Sequence, residues 1–114
     1  MSPRFGADVA ERVADAMFAL SAPSRVLILG CLLDGPATVK DLMEKLSMEQ
    51  STVSHQLRVL REYELVTVER VGRTRVYALR DEHVRGLLER AVDHVERDRS
   101  QGSKRRRATG RGGG

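Results

Sequence analysis

Glu49-Gln50-Ser51-Thr52-Val53-Ser54-His55-Gln56-Leu57-Arg58-Val59-Leu60-Arg61, at the middle of the chain, divides into two chemically distinct faces. At helical periodicity Val53, Leu57 and Leu60 share one narrow sector, the buried stripe of an amphipathic helix. Ser51, Ser54, His55 and Arg58 fall on the other side, with Gln50 at the exposed start. Short hydrogen-bonding groups and cations on that side suit base edges and phosphates in a major groove. A helix that only covers a core carries Glu, Lys and Ala outside more often. Taken alone, the pattern also fits a plain amphipathic helix, and its neighbours in sequence choose between the two.

On the N-terminal side, Thr38 with Asp41 three residues on predicts a capped short helix to about Leu46. Ser47-Met48 turns the chain into the stretch above. Two helices joined by a tight turn, the second polar on its outer face, form a helix-turn-helix. On the C-terminal side, Leu65 to Val71 alternates and is β-branched, Gly72-Arg73 turns, and Thr74 to Leu79 returns, which predicts a hairpin. A two-stranded hairpin is marginal alone and must pack on the helices. The expected fold is therefore mainly α with a β-hairpin wing, a winged helix-turn-helix. Arg70, Arg73 and Arg75 sit at the wing tip, placed for phosphates; the competing reading is edge-strand protection against aggregation.

Further out, Asp8 to Leu20 reads as a helix with Val9, Val13, Met17 and Leu20 on one face, and with small residues that permit close approach of a partner helix. Pro23 suits the first turn of a second helix, about Pro23 to Leu33, almost wholly apolar after Arg25 and expected to be the central buried element. Cys31 within it reads as a small core residue. A last helix runs from Asp81, a plausible N-cap, to about Arg97. Its stripe of Val84, Leu87, Leu88, Ala91 and Val95 is too apolar for a free C-terminal helix, so it is expected to pair with the first helix and with its copy in a second subunit. The expected division is a flexible 1–7, a DNA-binding and dimerisation domain over 8–99, and a disordered basic tail over 100–114.

Length and composition agree. A chain of 114 residues implies one domain with a thin core, often enlarged by dimerising. The tail holds five cations and no acid; subtracting them from the net charge of +4 leaves −1 for residues 1–99. Any basic surface on the body must come from local clustering. The cations Lys104 to Arg107 offer non-specific phosphate affinity, or serve as a passive solubilising end. No apolar run approaches the roughly 20 residues that span a membrane, and no cationic-then-apolar leader opens the chain. The single cysteine fits a reducing cytoplasm. No nucleophile–base pair, glycine-rich phosphate loop or open metal motif suggests an enzyme.

The order of elements, with Ala22-Pro23-Ser24-Arg25, Gln50-Ser51-Thr52-Val53-Ser54-His55-Gln56-Leu57 and Gly72-Arg73-x-x-x-Tyr77, resembles the ArsR/SmtB family of bacterial repressors over residues 8–97. The resemblance implies a winged-helix homodimer that leaves operator DNA when an inducer binds, with Gln50, Ser51, Ser54 and His55 at the recognition positions. The competing reading of His55 is a solvated groove-facing histidine. Two-fold symmetry implies an imperfect inverted repeat of double-stranded DNA, with recognition helices roughly 34–36 Å apart.

The resemblance also implies what is sensed. In metal-sensing members a site lies between the two last helices, with the pattern Asp-x-His, ten residues, then His-x-x-Glu or His. Asp81, His83 and His94 match; the fourth position is Arg97, which cannot ligate and sets a positive charge beside the cation. Asp98, four residues after His94, is the substitute donor, or water fills the place. This donor set suits Zn2+ first and Ni2+ or Co2+ next, since Met1 to Ala7 offers no histidine for a six-coordinate site. In relatives the second nitrogen of the ligand corresponding to His94 bonds a backbone carbonyl just after the recognition helix, at about Glu64 here. The competing reading makes Asp81 an N-cap only, His83 and His94 half-exposed helix residues, and Arg97 a partner of Asp81 across the dimer. Cysteine-pair sites are excluded, because Thr38 and Lys40 stand where the pair would be. The rivals are a same-fold repressor without metal, answering another signal or none, and a protein-interaction module using the apolar last helix.

Overall fold

Pro23 opens the helix around which the chain closes. The computed structural model describes the backbone of residues 3–113 and the side chains of 3–98. In order it has α1 (Ala7–Ala19), α2 (Pro23–Leu33), α3 (Val39–Leu46), α4 (Gln50–Glu62), β1 (Val66–Val71), β2 (Thr74–Leu79) and α5 (Glu82–Gly113). From α2, Ile28, Leu29 and Leu32 are buried, and they meet Leu42 of α3, Val53, Leu57 and Leu60 of α4, and Leu88 of α5. Only one side of α2 is central: Leu27 is half exposed, so its apolar character exceeds what its own chain covers. α5 runs past Arg97, where the last helix was expected to end, and takes the backbone of 100–113, expected as disordered, into the same helix; the side chains there lie outside those described.

The helix ends explain the turns. Thr38 Oγ1 accepts from the Asp41 N–H at 3.0 Å and Asp41 Oδ2 accepts from the Thr38 N–H at 3.0 Å, a reciprocal cap that starts α3. Ser47 ends α3 in the left-handed region, φ 54°, and Glu64 does the same after α4, φ 62°. At α4 the Leu65 N–H bonds Leu60 O at 2.9 Å and the Glu64 N–H bonds Arg61 O at 3.0 Å, the paired bonds of a Schellman motif. These bonds take Leu65, expected as the first strand residue, into the helix terminus, and β1 begins at Val66.

The hairpin pairs Val66 with Leu79 through to Val71 with Thr74 around a Gly72-Arg73 turn, where Gly72 has φ 65°. Its outer strand is anchored by Ala37, which exchanges both backbone bonds with Tyr77 at 2.9 and 2.8 Å. Thus the wing is fixed to the start of the helix-turn-helix, which answers the marginal stability of an isolated hairpin. At α5, Asp81 Oδ1 accepts from the Val84 N–H at 3.0 Å, as expected of an N-cap, and Arg85 donates to Leu33 O at 3.0 Å, docking α5 on the end of α2.

The α3 cap gives a pH prediction. The Thr38 backbone N–H, and after it the Thr38 side chain, hold the Asp41 carboxyl below its ordinary range. A depressed folded pKa contributes stability that is present above the unfolded value and lost as pH falls through the folded one. Asp41→Asn is expected to lower melting somewhat at neutral pH and to flatten the acid limb below about pH 4, because the contribution that the parent loses on acidification is already absent. Melting curves from pH 6 to pH 2 check this; an acid limb identical to that of the parent would contradict it.

Candidate functional site

On α4 the structure separates two faces as the spacing predicts. Val53, Leu57 and Leu60 are buried, while Gln50, Ser51, Ser54, His55 and Arg58 are exposed along one side. Gln56, between them, is half-buried and turned toward the body. The helix presents hydroxyls, an imidazole, an amide and a guanidinium from a rigid base, a set matched to base edges and phosphate oxygens.

The wing adds cations under an unusual local condition. Arg70 and Arg75 stand directly opposite one another in the ladder, and Arg73 lies in the turn. All three are exposed, and none forms an ion pair among the described residues. Like charges directly across a hairpin are destabilising. A polyanion laid along the wing removes that repulsion, whereas edge protection needs no such opposed pair.

The α5 donors are brought together only in part. Asp81 Oδ1 lies 3.9 Å from His83 Nδ1, and the His83 side chain is 98% exposed. His94 is exposed three turns further along, about 16 Å away at the helical rise. Among the described residues no group of three potential ligands converges within one chain. Arg97 lies 3.2 Å from Asp93 on its own helix, so in the single chain it is not directed at Asp81. Glu64, whose carbonyl was expected to receive His94, is met within its own chain by Arg80, 2.8 Å from the carboxylate and 3.5 Å from the carbonyl. That Arg80 also lies 3.9 Å from Asp81, placing a cation between the metal donors and the end of α4. Sequence reasoning missed it, because nothing in the spacing links residue 80 to residue 64 before the hairpin is closed.

Two apolar faces remain open. The α1 stripe does not turn inward: Val13 and Met17 are about half exposed, as are Val92 and Val95 of α5. Between the end of α1, α2 and α5 runs a groove of about 350 Å³, lined by the apolar side chains of Leu20, Val26, Leu88, Val92 and Val95 and edged by Glu96. No single helix among the described residues is long and apolar enough to cross a membrane.

Known proteins share this architecture. Residues 22–68, from the start of α2 through the first half of β1, match the family described as bacterial regulatory protein, arsR family. The HTH-type transcriptional regulator NmtR of Mycobacterium tuberculosis is 53% identical over 87 residues, covering 76% of this chain and 72% of that protein. The solution structure of apo-NmtR superposes with a TM-score of 0.71 at 48% identity, over 85% of this chain and 82% of that one. The Cadmium resistance transcriptional regulatory protein CadC homolog of Staphylococcus aureus is 36% identical over 83 residues, 72% of this chain and 69% of its own length. The homodimeric winged helix-turn-helix DNA-binding domain Mb0332 of Mycobacterium bovis gives a TM-score of 0.71 at 27% identity, over 88% of this chain and 93% of that one. The chain belongs to the arsR family of bacterial regulatory proteins, which are DNA-binding transcription regulators and not enzymes.

Proposed function

We propose that the protein is a homodimeric cytoplasmic repressor that reads an imperfect inverted repeat with α4 and is released by a divalent metal held between its α5 helices. The observation that carries the DNA-reading half is the α4 outer face, with Gln50, Ser51, Ser54, His55 and Arg58 exposed above a buried Val53, Leu57 and Leu60. In this reading Gln50, Ser51, Ser54 and His55 meet base edges, while Arg58, Arg70, Arg73 and Arg75 meet phosphates. Dimerisation is supported by the open apolar faces of α1 and α5 and by the homodimeric state of the M. bovis relative. The division into a body of 8–99 and a separate basic tail belongs to the same proposal.

The metal half is supported by the donor set. Asp81 and His83 pair at one end of α5 and His94 stands eleven residues on, so the midpoint falls beside Leu88. An antiparallel two-fold crossing at that level sets Asp81 and His83 of each subunit against His94 and Asp98 of the partner subunit, two sites per dimer. Carboxylate and imidazole donors of this number suit zinc first, with nickel and cobalt next. A bound divalent cation would supply a fixed link between the two helices. The chain's own part is to hold the donors: the Val84 N–H fixes one Asp81 oxygen, and the other, 3.9 Å from Arg80 Nε, would exchange that guanidinium for the metal. With α5 locked, the angle between the two α4 helices is locked too, at a spacing unsuited to the operator.

Fluorescence anisotropy on DNA from upstream of the protein's own gene, with zinc, nickel, cobalt and chelator in turn, tests both halves. Release by any of them is expected to weaken binding about ten-fold or more. Tight binding unaffected by every metal would sink the sensor and leave a repressor answering another signal or none. A monomer in equilibrium sedimentation would instead favour the interaction-module reading. Salt titration adds a further prediction: Arg73→Ala is expected to lower the slope of log K against log salt by about 1.8, because two phosphate contacts, one per subunit, are lost. An unchanged slope would assign Arg73 to edge protection.

A further inference from the structure

Arg25 is buried, 8% exposed, in the first turn of α2, and no carboxylate pairs with it among the described residues. A buried charge demands compensation. Arg25 finds it in two places. Nε donates to Ala19 O at 2.7 Å and Nη2 to Phe18 O at 3.1 Å, the latter shared with the Ser21 N–H and hydroxyl, at the end of α1 where the dipole is negative. Nη1 donates to Gln56 Oε1 at 3.0 Å, on α4. No basic residue in the last turn of α1 serves that end. A second strut lies alongside, with the Phe18 and Tyr63 rings 5.4 Å apart and the Arg25 guanidinium 5.6 Å from the Phe18 ring centre. Phe18 belongs to α1 and Tyr63 closes α4.

We infer that Arg25 is a positioning residue that fastens the end of α1 to α4 through Gln56, so that the seating of α1 sets the bearing of the DNA-reading helix. The planar fork is what the job needs: three N–H groups aimed in fixed directions at two different helices. Without it α1 is held to the body by the buried Ala19, the Phe18–Tyr63 contact and the short Leu20 to Ala22 segment, none of which is a directed polar bond to α4. With it, α1 and α4 move as one unit. Gln56 is the informative end because it faces the body beside the exposed His55, so its amide orients the reading face without belonging to it. This inference rests on α4 being the DNA reader, and its first test does not.

The test is a substitution cycle on the full chain: parent, Arg25→Lys, Gln56→Ala and the double variant. Gln56→Ala removes a half-buried polar group only, which guards against simple unfolding of Arg25→Lys. Without DNA, Gln56→Ala is expected to speed amide exchange in the last turn of α1, residues 16–20, by about three-fold or more. Unchanged exchange there overturns the tether whatever the protein does with DNA. On DNA, Gln56→Ala is expected to lower affinity for the operator about ten-fold while affinity for random sequence and the salt slope stay as in the parent. Arg25→Lys is expected to add nothing in the Gln56→Ala background. Additive losses would make Gln56 a direct base contact, and equal losses on operator and random DNA would make the effect general; either overturns the inference. Failure of the parent itself to bind its operator would refute the reading of α4 and leave the exchange result to decide the tether.

Discussion

His94→Ala is expected to leave operator binding at its metal-free strength and to abolish the response to metal. His94 is exposed on α5, away from the core and from the α4 and wing surfaces, so its loss costs little folding energy and no DNA contact. Both sites of the proposed dimer lose an imidazole at once, because each takes one His94. The factor of about ten or more between metal-free and metal-loaded affinity, about 1.4 kcal/mol, should fall to unity. Direct metal titration of the protein should weaken in parallel, which separates lost binding from lost coupling. Equal metal affinity with release intact would mean the site lies elsewhere. The companion change, Arg97→His, replaces a cation with a donor and frees Asp93, now 3.2 Å from Arg97. It is expected to tighten metal binding; if it does not, position 97 lies outside the coordination sphere.

Leu57→Ala carries the largest expected effect on stability. Leu57 is 1% exposed and sits between Val53 and Leu60 on the face of α4 that meets α2 and α3. Truncating a fully buried leucine costs about 2–5 kcal/mol, the lost transfer energy plus the cavity left behind. Against a total of about 5–15 kcal/mol for a domain, that is a large share. At about 3 kcal/mol the melting temperature should drop by roughly 12–20 °C for a body of this size. Arg58, the next residue, is exposed, and Arg58→Ala should shift melting by under about 0.5 kcal/mol while weakening DNA binding. Thermal melts and anisotropy on the two variants together would separate the helix's two faces. Similar melting for both would contradict the burial pattern.

Much of this was legible in the sequence because local rules agreed with one another. Val53, Leu57 and Leu60 at helical spacing, Thr38 with Asp41, Pro23 at a helix start, and Gly72 between alternating runs each specify one local geometry, and the structure keeps all of them. What the sequence did not disclose depends on residues distant along the chain. Arg25 stood in the sequence only as the residue before the apolar run of α2; only the closed fold brings Gln56, thirty-one residues on, to its guanidinium. Val13 and Met17 were read as one apolar face of a helix expected to meet a partner helix, and periodicity does not say which chain covers such a face; the structure turns them outward. For the metal donors, sequence supplied the pair at Asp81 and His83, whereas the distance to His94 exceeds what one helix can close.

The left-handed residues at the ends of α3 and α4 have a mechanical consequence. Neither Ser47 nor Glu64 is a glycine, so each holds its turn against a torsional penalty of about 1–2 kcal/mol. Glycine would relieve the penalty and also widen the range of angles the backbone samples. Side-chain sterics at the two pivots instead make them stiff, and Glu64 is braced further by Arg80 at 2.8 Å. The helix proposed to read DNA is therefore mounted between two rigid bearings, one on the α3 side and one on the wing side. Stored torsional energy is exchanged for angular accuracy, and accuracy is what a helix must have to enter a groove in register.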